Sequence, residues 1–284
     1  VYTVKAGGGS ENVQKSDGEW QFGPGQQTES TDTTEEDTVS MKAIKAAGEL
    51  ILKGGKYSLD SADDTIHSNA NITISDGEFT LASGDDGIHA DSATTISGGT
   101  IDITESYEGI EGLSIDITGG ETYVSGPTND GNSALDYNGT GTVTGGIFIA
   151  AGSSGMAENF GDSSTQGVMM VTVNSQAAGS AVSLSDSSGN ELVSWTPEKE
   201  YTSVIISCPE ITTGQEYTLT TGSDTTQITM DSIVYGSGSG MGGNPGNGGG
   251  PGNGGDMGQK PDDGNGTGKG SGDGGNMGTP PEKS

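Results

Sequence analysis

SADDTIHSNANITISDGEFTLA (residues 61–82) and SGDDGIHADSATTISGGTIDIT (residues 83–104) are one pattern written twice, end to end. Ile72-Thr73-Ile74 runs into Asp76-Gly77, then Phe79-Thr80-Leu81, then Asp85-Asp86-Gly87-Ile88-His89. Apolar and β-branched residues alternating with polar ones predict strands, and the glycine and Asp-Asp steps predict turns. Outward from this pair the punctuation continues at Gly54-Gly55, Asp76-Gly77, Gly98-Gly99, Gly119-Gly120 and Gly145-Gly146, at spacings of 22, 22, 21 and 26 residues. A fixed period in this range marks a solenoid. A leucine-rich repeat has an overlapping period, but the return segments here are rich in Thr, Ile, Asp and Gly and carry no 3.6-residue pattern.

The expected fold is all-β: a right-handed parallel β-helix of about 22 residues per coil over residues 1–164. Val1-Tyr2-Thr3-Val4 reads as a strand of an earlier coil, and residues 7–40 as a long polar loop inserted before Met41 resumes the pattern. Beyond about Thr165 the repeat stops, and short alternating segments from Gly167 to Tyr235 predict a small antiparallel β domain over 165–235, capping the open end of the solenoid. Residues 236–284 hold 21 glycines and 5 prolines in 49 positions, too few core-forming side chains for anything but a disordered tail.

Composition fits this reading. Only 28% of residues are apolar, below the roughly 45–50% of globular domains, but a solenoid buries one thin continuous core. The net charge is −30, and all ten basic residues are lysines. That argues against nucleic acid and anionic membrane surfaces as partners, and an acidic ligand would need bridging cations. Cys208 is the single cysteine, so there is no disulfide framework. No apolar run is long enough to span a bilayer. No signal peptide is present either, but a chain opening in mid-strand makes that uninformative about compartment. We expect a monomer.

Stacking by 22 builds columns. Ile44, Ile66, Ile88 and Ile110 form one, facing the core; Lys45, His67, His89 and Glu111 form the next. Two positions before the isoleucines stand Lys42, Asp64, Asp86, Glu108 and then Asp130; one step earlier come Met41, Asp63, Asp85, Tyr107 and Asn129. Alternation places these side chains on a solvent-facing ridge. Neighbouring strands lie about 4.8 Å apart, so stacked carboxylates repel by roughly 1 kcal/mol in water and more where solvent is excluded. Full solvation relieves this, and so does a cation; hard oxygen ligands suit calcium. His67 and His89, one coil apart, read either as a hydrogen-bonded ladder or as a transition-metal pair lacking a third nitrogen or sulfur ligand. Tyr107, Tyr123, Tyr137 and Trp195 are candidates for stacking on sugar rings or for packing.

The segments SADDTIHSNANITISDGEFTL, SGDDGIHADSATTISGGTIDIT, SYEGIEG (106–112), GNSALDYNGTGTVTGG (131–146) and GSSGMAENFG (152–161) resemble a family of secreted bacterial carbohydrate-binding β-helix proteins. The resemblance runs from about Met41 to Tyr235. It implies a fold similar to that of pectate lyases, a calcium cofactor, an extracellular or cell-surface location, and binding of cellulose or acidic sugars. It carries the calcium role onto Asp63, Asp64, Asp85, Asp86, Glu108 and Glu111. Asn129-Asp130-Gly131-Asn132 departs from the Asp-Asp-Gly-Ile pattern, although Asp130 keeps its column by count.

Three functions follow as expectations. The first is a non-catalytic, calcium-dependent module for cell-wall polysaccharide such as cellulose or polygalacturonate, with Tyr107, His67 and His89 at the glycan face. The second is a polysaccharide lyase, for which Lys42 and Lys45 are the base candidates and Lys53 and Lys56 lie nearby; carboxylates around a lysine favour its charged form, the wrong direction for a base. The third is a structural or adhesive surface protein whose coils calcium rigidifies.

Overall fold

The computed structural model describes residues 1–12 and 40–236. The expected loop at 7–40, apart from its first six residues and Ser40, and the expected tail, apart from Gly236, lie outside the described residues. The strands of the first part are β1 (Tyr2–Ala6), β2 (Ile44–Ala46), β3 (Leu50–Ser61), β4 (Ile66–Ser68), β5 (Ile72–Ser83), β6 (Asp86–Glu105), β7 (Glu108–Ser125), β8 (Leu135–Val143) and β9 (Ile147–Gly152). No α-helix occurs among the described residues; Ser10–Asn12 form a single 3-10 turn.

These strands pair in parallel, β1-β3-β5-β6-β7-β9, with β2-β4-β6 and β7-β8 completing the coils. The chain is an all-β solenoid of about five turns at the expected spacing. Ile66 pairs with Ile88 and Ile88 with Ile110, each 22 residues on. β1 meets β3 at Tyr2↔Tyr57, so the strand that opens the chain stacks directly on the coil that contains β3. Inside, Leu52, Ile74, Ile96, Ile117 and Val143 form one column and Leu59, Leu81, Ile103, Val124 and Ala150 another, all buried. Each buried isoleucine or leucine contributes about 1.5–3 kcal/mol relative to exposure. At the outer end Tyr2, Tyr57 and Phe79 stack ring on ring at 5.1 and 4.7 Å.

The glycine pairs turn the corners. Gly99 has φ +87°, a region L side chains rarely adopt, and a Cβ there would lie 2.7 Å from the Gly77 carbonyl oxygen of the preceding coil. Backbone conformation and the approach of the next coil both demand glycine at this step.

The solenoid ends where pairing reverses. The remaining strands are β10 (Val168–Gln176), β11 (Val182–Asp186), β12 (Glu191–Trp195), β13 (Tyr201–Ser207), β14 (Glu216–Thr221), β15 (Asp224–Thr229) and β16 (Val234–Tyr235). β13 runs antiparallel to β9, pairing Ile206 with Ile149, and β10 runs antiparallel to β13. A separate antiparallel sheet, β12-β11-β14-β15, shares a second core built from Ile149, Val171, Leu184, Ile206 and Leu219. The last of the expected alternating segments, ending at Tyr235, divides: β15 pairs with β14, and β16 pairs in parallel with β10. Cys208 is buried in this second core.

Candidate functional site

The acidic steps fall where one coil's long strand ends and the next short strand begins. Serine side chains shape these turns: Ser61 Oγ donates to the Asp63 carbonyl at 2.7 Å, and Ser83 Oγ lies 2.8 Å from the carbonyls of both Asp63 and Asp86. Parallel pairing of β2, β4, β6, β7 and β8 sends Ile44, Ile66, Ile88, Ile110 and Leu135 inward. The residue after each points the other way, giving the column Lys45, His67, His89, Glu111 and Asp136. Gly87, within the Asp-Asp-Gly-Ile step, allows the coils to close up: a Cβ there would lie 2.6 Å from the Gly109 carbonyl oxygen.

The expected solvent-facing ridge is instead largely sunk into the molecule. Asp64 is 1% exposed, Asp86 4% and His67 8%. Asp63, Glu108 and Glu111 are half-buried, and Asp85 is exposed. The turns fold the carboxylates back against the neighbouring coil, and a buried carboxylate must find partners or lose its charge.

In the first two coils the partners are cations of the chain itself. Lys42 Nζ donates to Asp63 Oδ1 at 2.7 Å and to Asp64. Partial burial works against the Lys42 ammonium, but these two bonds outweigh it and raise its pKa; against the effect of its own burial, Asp63 is held low by its bond to Lys42 and by the Asp64 backbone N–H. Asp64 Oδ2 lies 2.8 Å from His67 Nδ1, and Asp64 Oδ1 accepts from the Asp86 backbone N–H at 3.3 Å. His89 Nδ1 lies 2.8 Å from Asp86 Oδ2 and 2.9 Å from Glu111 Oε2. Those two carboxylates push His89 up to about 10, and His89 in turn draws Glu111 down to about 2. Asp86 is raised to about 8, chiefly by burial, with its bond to His89 opposing and the Asp64 charge adding.

Further along, the partners run out. Glu108 is raised to about 7 by burial and by Asp136, Glu111 and Asp85; Asp136 is raised by burial and Glu111. Glu158 is raised to about 7 by burial, opposed by the Tyr137 N–H bond at 3.1 Å and reinforced by Asp136. Asp85, although the residue as a whole is exposed, is raised too: its neighbours partly desolvate the carboxyl, and the Asp64 and Asp63 charges add.

Two assignments from counting change. Asp130 does not continue the column: between β7 and β8 the offset grows to 25 residues (Ile110↔Leu135), so Glu111 faces Asp136, and the Asp130 carboxylate accepts instead from Ser153 Oγ. Asp136 and Glu158 belong to the ladder and were missed, because a three-residue insertion shifts the count just there; the Ile110-Glu111 and Leu135-Asp136 pairs were the available signal. Lys42 and Lys45, neighbours by count, part ways: Lys45 is exposed, whereas Lys42 is clamped between two carboxylates and poorly suited to shed a proton near neutral pH. Lys56 pairs with Glu78 at the Gly54-Gly55 corner. Tyr107 is 50% exposed beside Asp85, its N–H donating to the Asp85 carbonyl, so its ring is free to meet a ligand. Tyr123 stacks on Trp195 at 5.9 Å, and Tyr137 donates to the Asn159 carbonyl at 2.6 Å; both serve packing.

Three sets of ligand atoms lie within 4.8 Å of one another: Asp63, Asp64 and Asp85; Asp64, His67 and His89; and Asp86, His89 and Glu111. The first, all oxygen, has the donor chemistry calcium takes, with Lys42 as its internal competitor.

Residues 2–87 match the model of a family described as carbohydrate-binding domain-containing protein. The match spans a little under a third of the chain and ends at Gly87, just past the second of the acidic steps Asp63-Asp64 and Asp85-Asp86. Among curated proteins and among solved structures nothing matches the chain. No helix among the described residues is long and apolar enough to cross a membrane.

Proposed function

We propose that this protein binds cell-wall polysaccharide, cellulose or an acidic glycan such as polygalacturonate, outside the cell or at its surface and without cleaving it, with calcium held along the carboxylate ladder. The observation that carries the reading is that the carbohydrate-binding family match, residues 2–87, contains the ladder's first two acidic steps. The chemistry of the ladder supports the calcium part. Asp63, Asp64 and Asp85 offer hard oxygens, and Asp85, Glu108, Asp136 and Glu158 are carboxylates whose charge burial and mutual repulsion disfavour. A dication would relieve that repulsion and use the turn carbonyls and water as its remaining ligands. With a net charge of −30 and no arginine, attraction to a polyuronate needs such a bridge, and Tyr107 supplies a ring face next to it.

Sedimentation with insoluble polygalacturonate and with cellulose, in calcium and in chelator, tests this. Binding to polygalacturonate is expected in calcium, lost in chelator, and restored by calcium better than by magnesium, which dehydrates reluctantly. Retention on polygalacturonate unaffected by chelator would refute the calcium bridge, and failure to retain on either glycan in calcium would refute the carbohydrate reading.

A further inference from the structure

The two histidines stand apart from any calcium role, since calcium takes oxygen while imidazole nitrogen suits zinc and its neighbours. Their surroundings answer the missing third ligand of the sequence reading with carboxylates. A carboxylate oxygen of Asp64 and one ring nitrogen each of His67 and His89 lie within 4.8 Å of one another, and Asp86 Oδ2 is 2.8 Å from His89 Nδ1. The rings are tilted by 53° with centroids 4.8 Å apart, so they do not simply stack; both turn Nδ1 toward the carboxylates. In-register pairing of β4 with β6 (His67↔His89) fixes their separation.

The spacing suits a tetrahedral ion. Zinc bonds of about 2.0–2.1 Å to nitrogen and oxygen imply ligand-to-ligand distances of roughly 3.4 Å. The separations here are 2.8 Å (His67 Nδ1 to Asp64 Oδ2), 3.8 Å (His89 Nδ1 to Asp64 Oδ2) and 2.8 Å (His89 Nδ1 to Asp86 Oδ2), straddling that value. Asp64, His67 and His89 thus gather as one set of three donors, and Asp86 adjoins it through His89. Asp64 and Asp86 are almost fully buried, so water competes poorly for them and the competitor on Asp64 Oδ2 is Lys42 Nζ, while His89, with a quarter of its side chain exposed, leaves a way in.

We propose that Asp64, His67, Asp86 and His89 form a binding site for a transition-metal dication of the zinc class. The site does not depend on the glycan reading, and its test does not use a glycan. The chelator-stripped full chain is titrated with zinc by calorimetry and by thermal melting in a background of millimolar calcium, and separately with cobalt(II) under visible spectroscopy. One zinc per chain, a raised melting midpoint, and the d–d absorption of tetrahedral cobalt are expected. His67→Gln and His89→Gln, each folded by circular dichroism, should bind zinc at least roughly 10–100-fold more weakly, the loss seen for groups that merely support ligands. Zinc binding as strong in the double variant as in the parent, as expected for ions gathered diffusely by a −30 chain, would overturn the proposal. Should the variants fail to fold, octahedral cobalt in the parent would overturn it on its own.

Discussion

One ladder of carboxylates runs along the solenoid, but its two halves answer their charge differently. Asp63, Asp64, Asp86 and Glu111 each meet a cation from the chain, Lys42 or a histidine. Two coils on, no lysine or histidine among the described residues pairs with Asp136 or Glu158, and their pKa values rise instead. The same strand register creates both halves, so stacking alone does not tell whether a carboxylate column needs a metal. What decides is whether a cationic side chain occupies its own coil or the one before it. In the first half an external ion has to displace Lys42 or a histidine proton, whereas Asp136 and Glu158 have no internal cation to displace.

The largest way to break this contrast is to remove the internal cation. Lys42→Met leaves the buried Asp64 short of its lysine partner and should destabilise the metal-free protein by about 3–5 kcal/mol, as loss of one member of a buried pair does, measured by urea unfolding in chelator. Asp136→Asn under the same conditions should be neutral or slightly stabilising, since it removes repulsion. If both changes destabilise equally, the two halves are not different in kind.

Next in size is the calcium response. At calcium about 100-fold above its dissociation constant the parent should gain about 2.7 kcal/mol, visible as a higher melting midpoint. The pair Glu108→Gln with Glu158→Gln should lose most of that gain, and Lys42→Met should enlarge it by freeing Asp63 and Asp64. A parent midpoint identical in calcium and chelator would end the calcium reading for both halves.

A smaller effect is expected with pH. Glu108 and Glu158 rise from 4.5 to about 7 and Asp86 from 3.8 to about 8 on folding, so the folded state holds those protons more tightly and stability falls as pH climbs through these windows. His89, raised from 6.5 to about 10, contributes stability that is complete below about 6.5 and gone above about 10. Glu111, lowered from 4.5 to about 2, acts oppositely, and its contribution is lost as pH drops from 4.5 toward 2. Metal-free protein should therefore melt highest near pH 4.5 and lose several degrees by pH 8, with calcium flattening the alkaline side. A metal-free optimum above pH 7 would contradict the raised carboxylates.

The smallest change in stability should come from Tyr107→Ala. At half exposure its loss should alter stability by no more than about 0.5 kcal/mol, while weakening retention on the glycan. Unchanged retention would move the glycan contact away from the ladder.

Period and residue type were enough to determine the solenoid, the inward isoleucines and the pairing of His67 with His89, because parallel stacking at constant length is a local rule that each coil obeys in turn. The antiparallel ending was legible in the same way, from short alternating strands between turns, but not that β16 returns to lie parallel to β10. Only the tertiary structure decided the rest. Whether Asp64 faces water or protein depends on how its turn folds against the next coil. Whether Lys42 reaches it depends on a side chain spanning two coils, and whether Asp130 or Asp136 stands in the ladder depends on three residues inserted between β7 and β8. Burial and charge pairing are sums over neighbours distant in the chain, and no spacing within the sequence carries them.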